Sequence, residues 1–222
     1  MNETQLQEAT AQIAGIMDYA KQHLAHDGSG HGYDHAQRVA HLAEKILAHT
    51  EEPVDATVVL AACYLHDTID DKVVADVEAA TEDLREFLGT QGLSGEQVLE
   101  ILLIIDNLSF SKQYFGNSLP LPLTGQIVQD ADRLEALGAM GLLRTAYFGG
   151  YSGHPLHDPN MEPKNFTSKA EYRQGTTVIN HVYEKLFLLV DLMNTPYGKQ
   201  EGLRRKQFME DFLTEFYQEW DI

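Results

Sequence analysis

The chain predicts an all-α fold, and three observations carry that expectation. Apolar residues recur at three- and four-residue spacings through most of the 222 positions. No set of segments shows the strict alternation of half-buried strands. The periodic stretches are separated by turn-forming sequences such as Asp27-Gly28-Ser29-Gly30 and Glu51-Glu52-Pro53.

A first helix is predicted over about Glu3–His23, with Leu6, Ala9, Ile13, Ile16, Met17 and Ala20 on one face. A second starts near Tyr33 or Asp34 and runs to about His49; its stripe is Val39, Leu42, Ala43, Ile46 and Leu47, and His35 shares that face one turn earlier. The third, about Asp55–Leu65, is apolar all round from Val58 onward, which marks a central helix that ends directly in His66-Asp67. Asp76–Leu88 is amphipathic and closes at Gly89. Ser94 with Gln97 forms a capping box that opens a helix through about Leu108. Ser109–Leu123 is expected as a loop, Gly125–Phe148 as a single helix, and Tyr151–Lys169 as a long irregular loop. Two C-terminal helices are expected over about Ala170–Met193 and Gly202–Trp220. The expectation is one domain over 1–222, with its core at about 20–150, the loop at 151–169 and a helical extension at 170–222.

Hydrophobic residues make up 43% of the chain, enough for a sizeable core and too many for disorder. Thirty-four acidic against 16 basic residues give a formal charge of -18. A field of that sign repels polyanions, so nucleic-acid polymers and anionic membranes are excluded as partners, whereas a small phosphorylated molecule screened by a cation is not. Cys63 is the sole cysteine and lies in the apolar run Val58–Leu65, so it reads as a buried, inert thiol. No apolar run reaches membrane-spanning length and no signal peptide is recognisable, so a cytoplasmic location is expected.

The chemistry is suggested by polar groups placed where a core helix would not tolerate them unpaired. His66-Asp67 alone is a common dipeptide, most often a solvated helix end. Here it follows an apolar helix, and imidazole with carboxylate suits a divalent ion of intermediate hardness. His35 on the buried face of its own helix adds a second imidazole. Gln129-Asp130-Ala131-Asp132-Arg133-Leu134-Glu135 then places four charges in a mostly apolar helix, where they require partners. Asp130 and Asp132 point to nearly opposite sides; one can reach a metal while the other caps, pairs or orients, and periodicity leaves the choice open.

The ordered set His35, His66-Asp67 and Asp132-Arg133-Leu134 resembles the HD-domain superfamily of metal-dependent phosphohydrolases over about Ala20–Gly150. Within it, the segments Gly30–Val39, Ile127–Ala139 and Asn180–Leu186, with Met193-Asn194-Thr195, are similar to the YedJ/YpgQ-like group of small bacterial predicted hydrolases. The resemblance implies a compact HD-domain helical bundle with additional C-terminal helices. It implies His35, His66, Asp67 and Asp132 as ligands of one divalent metal, manganese first, with Mg, Fe, Ni or Zn as alternatives. Asp70-Asp71 stands where guanosine-tetraphosphate hydrolases of the superfamily carry a Glu-Asp pair that helps activate water, so these two are the candidate general bases. Leu108 stands where many members of the group carry a histidine, which argues against a second metal there.

The activity implied is cleavage of (deoxy)nucleoside triphosphates to monophosphate and pyrophosphate, a (p)ppGpp-type pyrophosphohydrolase or a 5′-nucleotidase being the rivals. A metal-containing nucleotide sensor without turnover is the alternative of another class. Candidate substrate contacts are His31, Arg38, Lys72, Lys169, Arg173, His181 and Lys185, with His154 and His157 available from the long loop. Surface or structural pairing competes with that role at each of them. A homodimer fits the composition as well as a monomer does. No Gly-x-Ser-x-Gly elbow or phosphate-cradling Gly-rich loop with Lys-Ser/Thr supports a nucleophilic serine or ATP-driven transfer.

Overall fold

The computed structural model describes residues 3–25, 30–70, 73–168, 171 and 174–220, and side chains from residue 12 onward. All regular structure among the described residues is helical. By internal contacts the chain divides into two compact units, Met1–Val128 and Gln129–Ile222, and the division falls inside the seventh helix.

The first unit holds α1 (Glu3–His23), α2 (Tyr33–Leu47), α3 (Ala56–Leu65), α4 (Val77–Thr90), α5 (Gly95–Asn107), α6 (Phe110–Tyr114) and the start of α7 (Leu123–Glu135). Its centre is α3, which packs against α1, α2 and α5. Val58, Val59, Ala61, Ala62, Cys63 and Leu65 are all fully buried, while Leu60 and Tyr64 on one face stay partly exposed, so most of the helix surface lies in the core, as its apolar sequence leads one to expect. Its start is fixed by the Asp55 carboxylate, one oxygen of which accepts from the backbone of Thr57 and Val58. The other oxygen accepts from Gln97 Nε2 at 2.9 Å. Gln97 also completes the predicted capping box with Ser94, so one side chain joins the beginnings of α3 and α5.

The second unit contains the rest of α7, α8 (Gly138–Tyr151), α9 (Val178–His181), a π-helical turn (Val182–Leu186), α10 (Phe187–Asp191) and α11 (Pro196–Trp220). Here α8 and α10 pack on α11, and α8 also touches α9.

Several boundaries differ from those expected. The single helix over Gly125–Phe148 is two helices, because Gly138 takes φ +75 and Leu137 is extended; glycine enters that left-handed region without the Cβ penalty. The buried Glu135 carboxylate and the Arg144 guanidinium form an ion pair that spans the break. The loop after α5 contains the short α6. The expected start at Ala170 lies outside the described residues; Glu171 is helical, residues 174–177 are not, and a further helix begins at Val178 under a Thr177 cap. The last helix starts at Pro196, not Gly202; proline suits a first helical position because its missing N–H has no partner there.

Candidate metal centre

Two turns of the first unit build the centre. Gly32 starts α2 in an extended conformation, and His35 follows within the first turn, 1% exposed. At the other side, α3 ends with His66 as its C-cap and Asp67 next, also buried. The Thr68 hydroxyl donates to the Leu65 carbonyl at 2.7 Å and closes that end.

The donor atoms converge. His35 Nε2 and His66 Nε2 are 3.2 Å apart, and they lie 3.4 and 3.3 Å from the same oxygen, Asp67 Oδ2. His31 Nδ1 approaches that oxygen at 3.0 Å. The ligand atoms of His31, His35 and Asp67 all fall within 4.8 Å of one another.

The protonation pattern suits a cation. His66 Nδ1 is 2.8 Å from the Cys63 carbonyl; a carbonyl only accepts, so the proton sits on Nδ1 and Nε2 presents its lone pair inward. Burial pushes the Asp67 carboxyl up, but the adjacent His66 and His31 outweigh it and hold the group well below the usual carboxylate range. Two imidazole nitrogens and an ionised carboxylate around one point form a mixed N/O set that fits a borderline divalent ion.

Asp130 and Asp132 are separated by the structure of the second unit. Asp130 is 0% exposed and saturated: its oxygens accept from Asn194 N at 2.9 and 3.1 Å, Asn194 Nδ2 at 2.9 Å, and Thr195 N and Oγ1, both at 2.7 Å. It is an anchor for the start of α11. Asp132 is half-buried on α7. Beside them, burial pushes the Arg133 guanidinium down to about 10 although Asp130 and Asp132 pull it up, and Arg133 donates to the Leu192 carbonyl.

The other expected residues fall in distinct surroundings. Asp70 is half-buried in the turn after Asp67, its N–H 3.3 Å from the Asp67 carbonyl and its own carbonyl accepting from Val73 and Val74. Arg38 pairs with Asp34 at 2.7 Å on the surface of α2. His31, expected at a phosphate, has the Asp67 carboxylate as a neighbour. In the second unit, burial first, then Lys185 and His154, push the His181 imidazole down to about 3. His157 packs edge-on against Phe216, Tyr217 and Trp220. Asp71, Lys72, Lys169 and Arg173 lie outside the described residues. The sequence reading missed the roles of Asn194, Thr195 and Glu184. For the first two a signal existed, since Asn-Thr-Pro is a helix-start pattern facing a charged buried helix.

The HD domain family matches residues 32–137, a stretch that includes His35, His66, Asp67 and Asp132. The protein YpgQ of Bacillus subtilis is 31% identical over 202 residues, 91% of this chain and 90% of that protein. The solved structure of YpgQ in complex with ADP superposes with a TM-score of 0.74 at 29% identity, covering 97% of each chain. A crystal structure from Lactobacillus plantarum gives 0.84 at 41% identity, over 100% of this chain and 99% of that one. An HD-superfamily hydrolase of Bacillus thuringiensis gives 0.73 at 32%, over 96% and 98%. With its histidine–aspartate centre and these relatives, the chain belongs to the HD-domain superfamily and is a metal-dependent phosphohydrolase.

Proposed function

We propose that this phosphohydrolase is a nucleotide pyrophosphohydrolase, converting (deoxy)nucleoside triphosphates to monophosphate and pyrophosphate with manganese as its ion. The observation that carries the reading is the ADP complex of YpgQ, a relative aligned along almost the whole chain, taken together with a buried imidazole–carboxylate centre of the same family. A cytoplasmic setting, where such triphosphates are made and consumed, accompanies it; no described helix is long and apolar enough to cross a membrane.

His35, His66 and Asp67 hold the ion, and Asp132 is assigned as the fourth ligand, since Asp130 is fully engaged with Asn194 and Thr195. Leu108 offers no donor for a second ion. A bound divalent cation lowers the pKa of its water and neutralises charge on the phosphates. The chain's own groups do the rest. Asp70 or Asp71 accepts the proton of the attacking water, a contribution of ~10²–10⁴ in rate. The water oxygen joins phosphorus at the α–β linkage, the bridging P–O bond breaks, and its electron pair leaves on the bridging oxygen. His31 holds Asp67 in orientation beside the phosphates. Arg38, Lys72, Lys169, Arg173 and Lys185 supply positive charge to them, which an acidic protein must concentrate locally. His181, kept neutral by burial, is suited to donate a hydrogen bond to the leaving oxygen without adding a second full charge beside Lys185.

The test is product analysis with Mn²⁺ and a panel of ribo- and deoxyribonucleoside triphosphates, (p)ppGpp and nucleoside monophosphates. Pyrophosphate and monophosphate in equal amounts from triphosphates are expected. Orthophosphate from monophosphates would make it a 5′-nucleotidase. Tight nucleotide binding with no product would make it a sensor.

A further inference from the structure

Outside the metal centre, the second unit carries a buried carboxylate that the chemistry above does not use. Glu184 is 4% exposed and sits in the π-helical turn Val182–Leu186. Its Oε1 accepts from the backbone N–H of Lys164 at 2.9 Å and from the Thr176 hydroxyl at 3.1 Å. One oxygen atom thus fastens two points of the irregular segment to the helix. One turn earlier, Asn180 Nδ2 donates to the Met161 carbonyl at 2.8 Å, and the first N–H groups of α9 donate to the carbonyls of Pro155 and Leu156 at 3.0 and 3.1 Å. The segment that follows α8 is therefore sewn to this helix at successive points along it.

The same wide turn sets the directions of His181, just before it, and Lys185, within it. Wide turns are uncommon and often mark functional positions, because the inserted residue re-aims the side chains around it. The tie to Thr176 also places Gly175. Gly175 has φ +79, and a Cβ there would lie 2.5 Å from His154 Nε2, so the imidazole packs directly on the glycine backbone. His154, His181 and Lys185 are consequently gathered in one neighbourhood of an otherwise acidic protein, close enough for both partners to bear on His181.

We propose that Glu184 is a positioning residue for nucleotide binding: through Lys164 and Thr176 it holds the loop against the π-helical turn, and so fixes His154, His181 and Lys185 as one phosphate-facing group. This rests on the nucleotide reading above. The carboxylate acts as an acceptor, not as a charge, because a single oxygen does the tying; Oε2 is buried and has no hydrogen-bond partner among the described residues. An amide at this position keeps the acceptor and removes the buried charge.

The experiment is calorimetric titration of the Mn²⁺-loaded full chain with ATP, alongside metal content, thermal stability and pyrophosphate release. Glu184→Ala is expected to weaken ATP binding about tenfold, the loss expected for one or two buried hydrogen bonds, with metal content unchanged. Glu184→Gln is expected to bind within about twofold of the parent chain. Thr176→Val removes one tie, spares the fold if Glu184→Ala does not, and is expected to weaken binding about threefold. A merely structural role would lower the melting temperature and leave the dissociation constant alone. That result, or a Glu184→Gln as weak as Glu184→Ala, overturns the proposal. Parent protein that binds ATP without releasing pyrophosphate removes the pyrophosphohydrolase reading but not this one; parent protein that binds no ATP removes both.

Discussion

Asp130 Oδ2 receives both the backbone N–H and the hydroxyl of Thr195, each at 2.7 Å. Together with the bonds from Asn194, this leaves the carboxylate no lone pair to spare, so the two aspartates of α7 divide into an anchor and a ligand candidate. Asp130→Ala is expected to lower stability by about 3–4 kcal/mol, since several buried donors lose their acceptor at once. Bound metal per folded chain is expected to stay the same. Asp132→Ala is expected to do the reverse, losing metal with little change in the urea midpoint. Elemental analysis and equilibrium unfolding on both variants check the pair.

The histidines of the first unit are expected to differ in the same graded way. His66→Ala removes a ligand whose tautomer is set by the Cys63 carbonyl, and stoichiometric metal should be lost. His31→Ala removes only a neighbour of Asp67, and metal affinity should fall about 10–100-fold while a saturable site remains. Competition against a chromogenic chelator measures both. A His31 variant with no metal at all would promote His31 to ligand.

Acid is expected to destabilise the protein through His181. Its folded value is pushed down to about 3 by burial, Lys185 and His154, against an ordinary value near ~6.5 in the unfolded chain. Between those values the unfolded state binds more protons, so stability rises with pH; the contribution is whole above the unfolded value and drains away as pH falls toward the folded one. By pH ~5 the loss is about 2 kcal/mol. The depressed Asp67 carboxyl acts only below its ordinary value and does not overlap the upper part of this window. His181→Gln should flatten the profile of urea midpoints between pH ~7 and ~5; an unchanged slope would refute the assignment.

The Glu135–Arg144 pair is expected to matter more than surface pairs such as Arg38–Asp34. Glu135 is 1% exposed, and removing its partner strands a charge in the core. Arg144→Ala should cost about 3–5 kcal/mol, and Arg38→Ala less than about 1 kcal/mol. Denaturant unfolding of the two variants gives the comparison.

Helix identities were legible in the sequence because burial follows the apolar period, and α3 announced its central place by having no polar face. His35, His66 and Asp67 were legible for the complementary reason: polar groups at the margin of such helices need a partner, and they find each other. The break at Gly138 was not. Glycine in an apolar helical pattern reads as a tolerated member until the left-handed φ is seen, and the Glu135–Arg144 pair that spans the break is a tertiary fact. Asp130 versus Asp132 lay beyond periodicity as well, since the deciding partners, Asn194 and Thr195, are more than sixty residues away. Glu184 was hidden because its two donors belong to an irregular segment with no pattern to read.

A helix with six fully buried residues among its ten can open only by breaking the packing of α1, α2 and α5 around it. The amides of α3 should exchange with solvent deuterium only when the whole unit unfolds, and be among the last in the chain to do so. His66 and Asp67 are attached to its final turn and inherit that persistence. The metal-binding geometry is thereby insulated from fraying elsewhere, and stripping the ion should leave the two side chains waiting in place for its return.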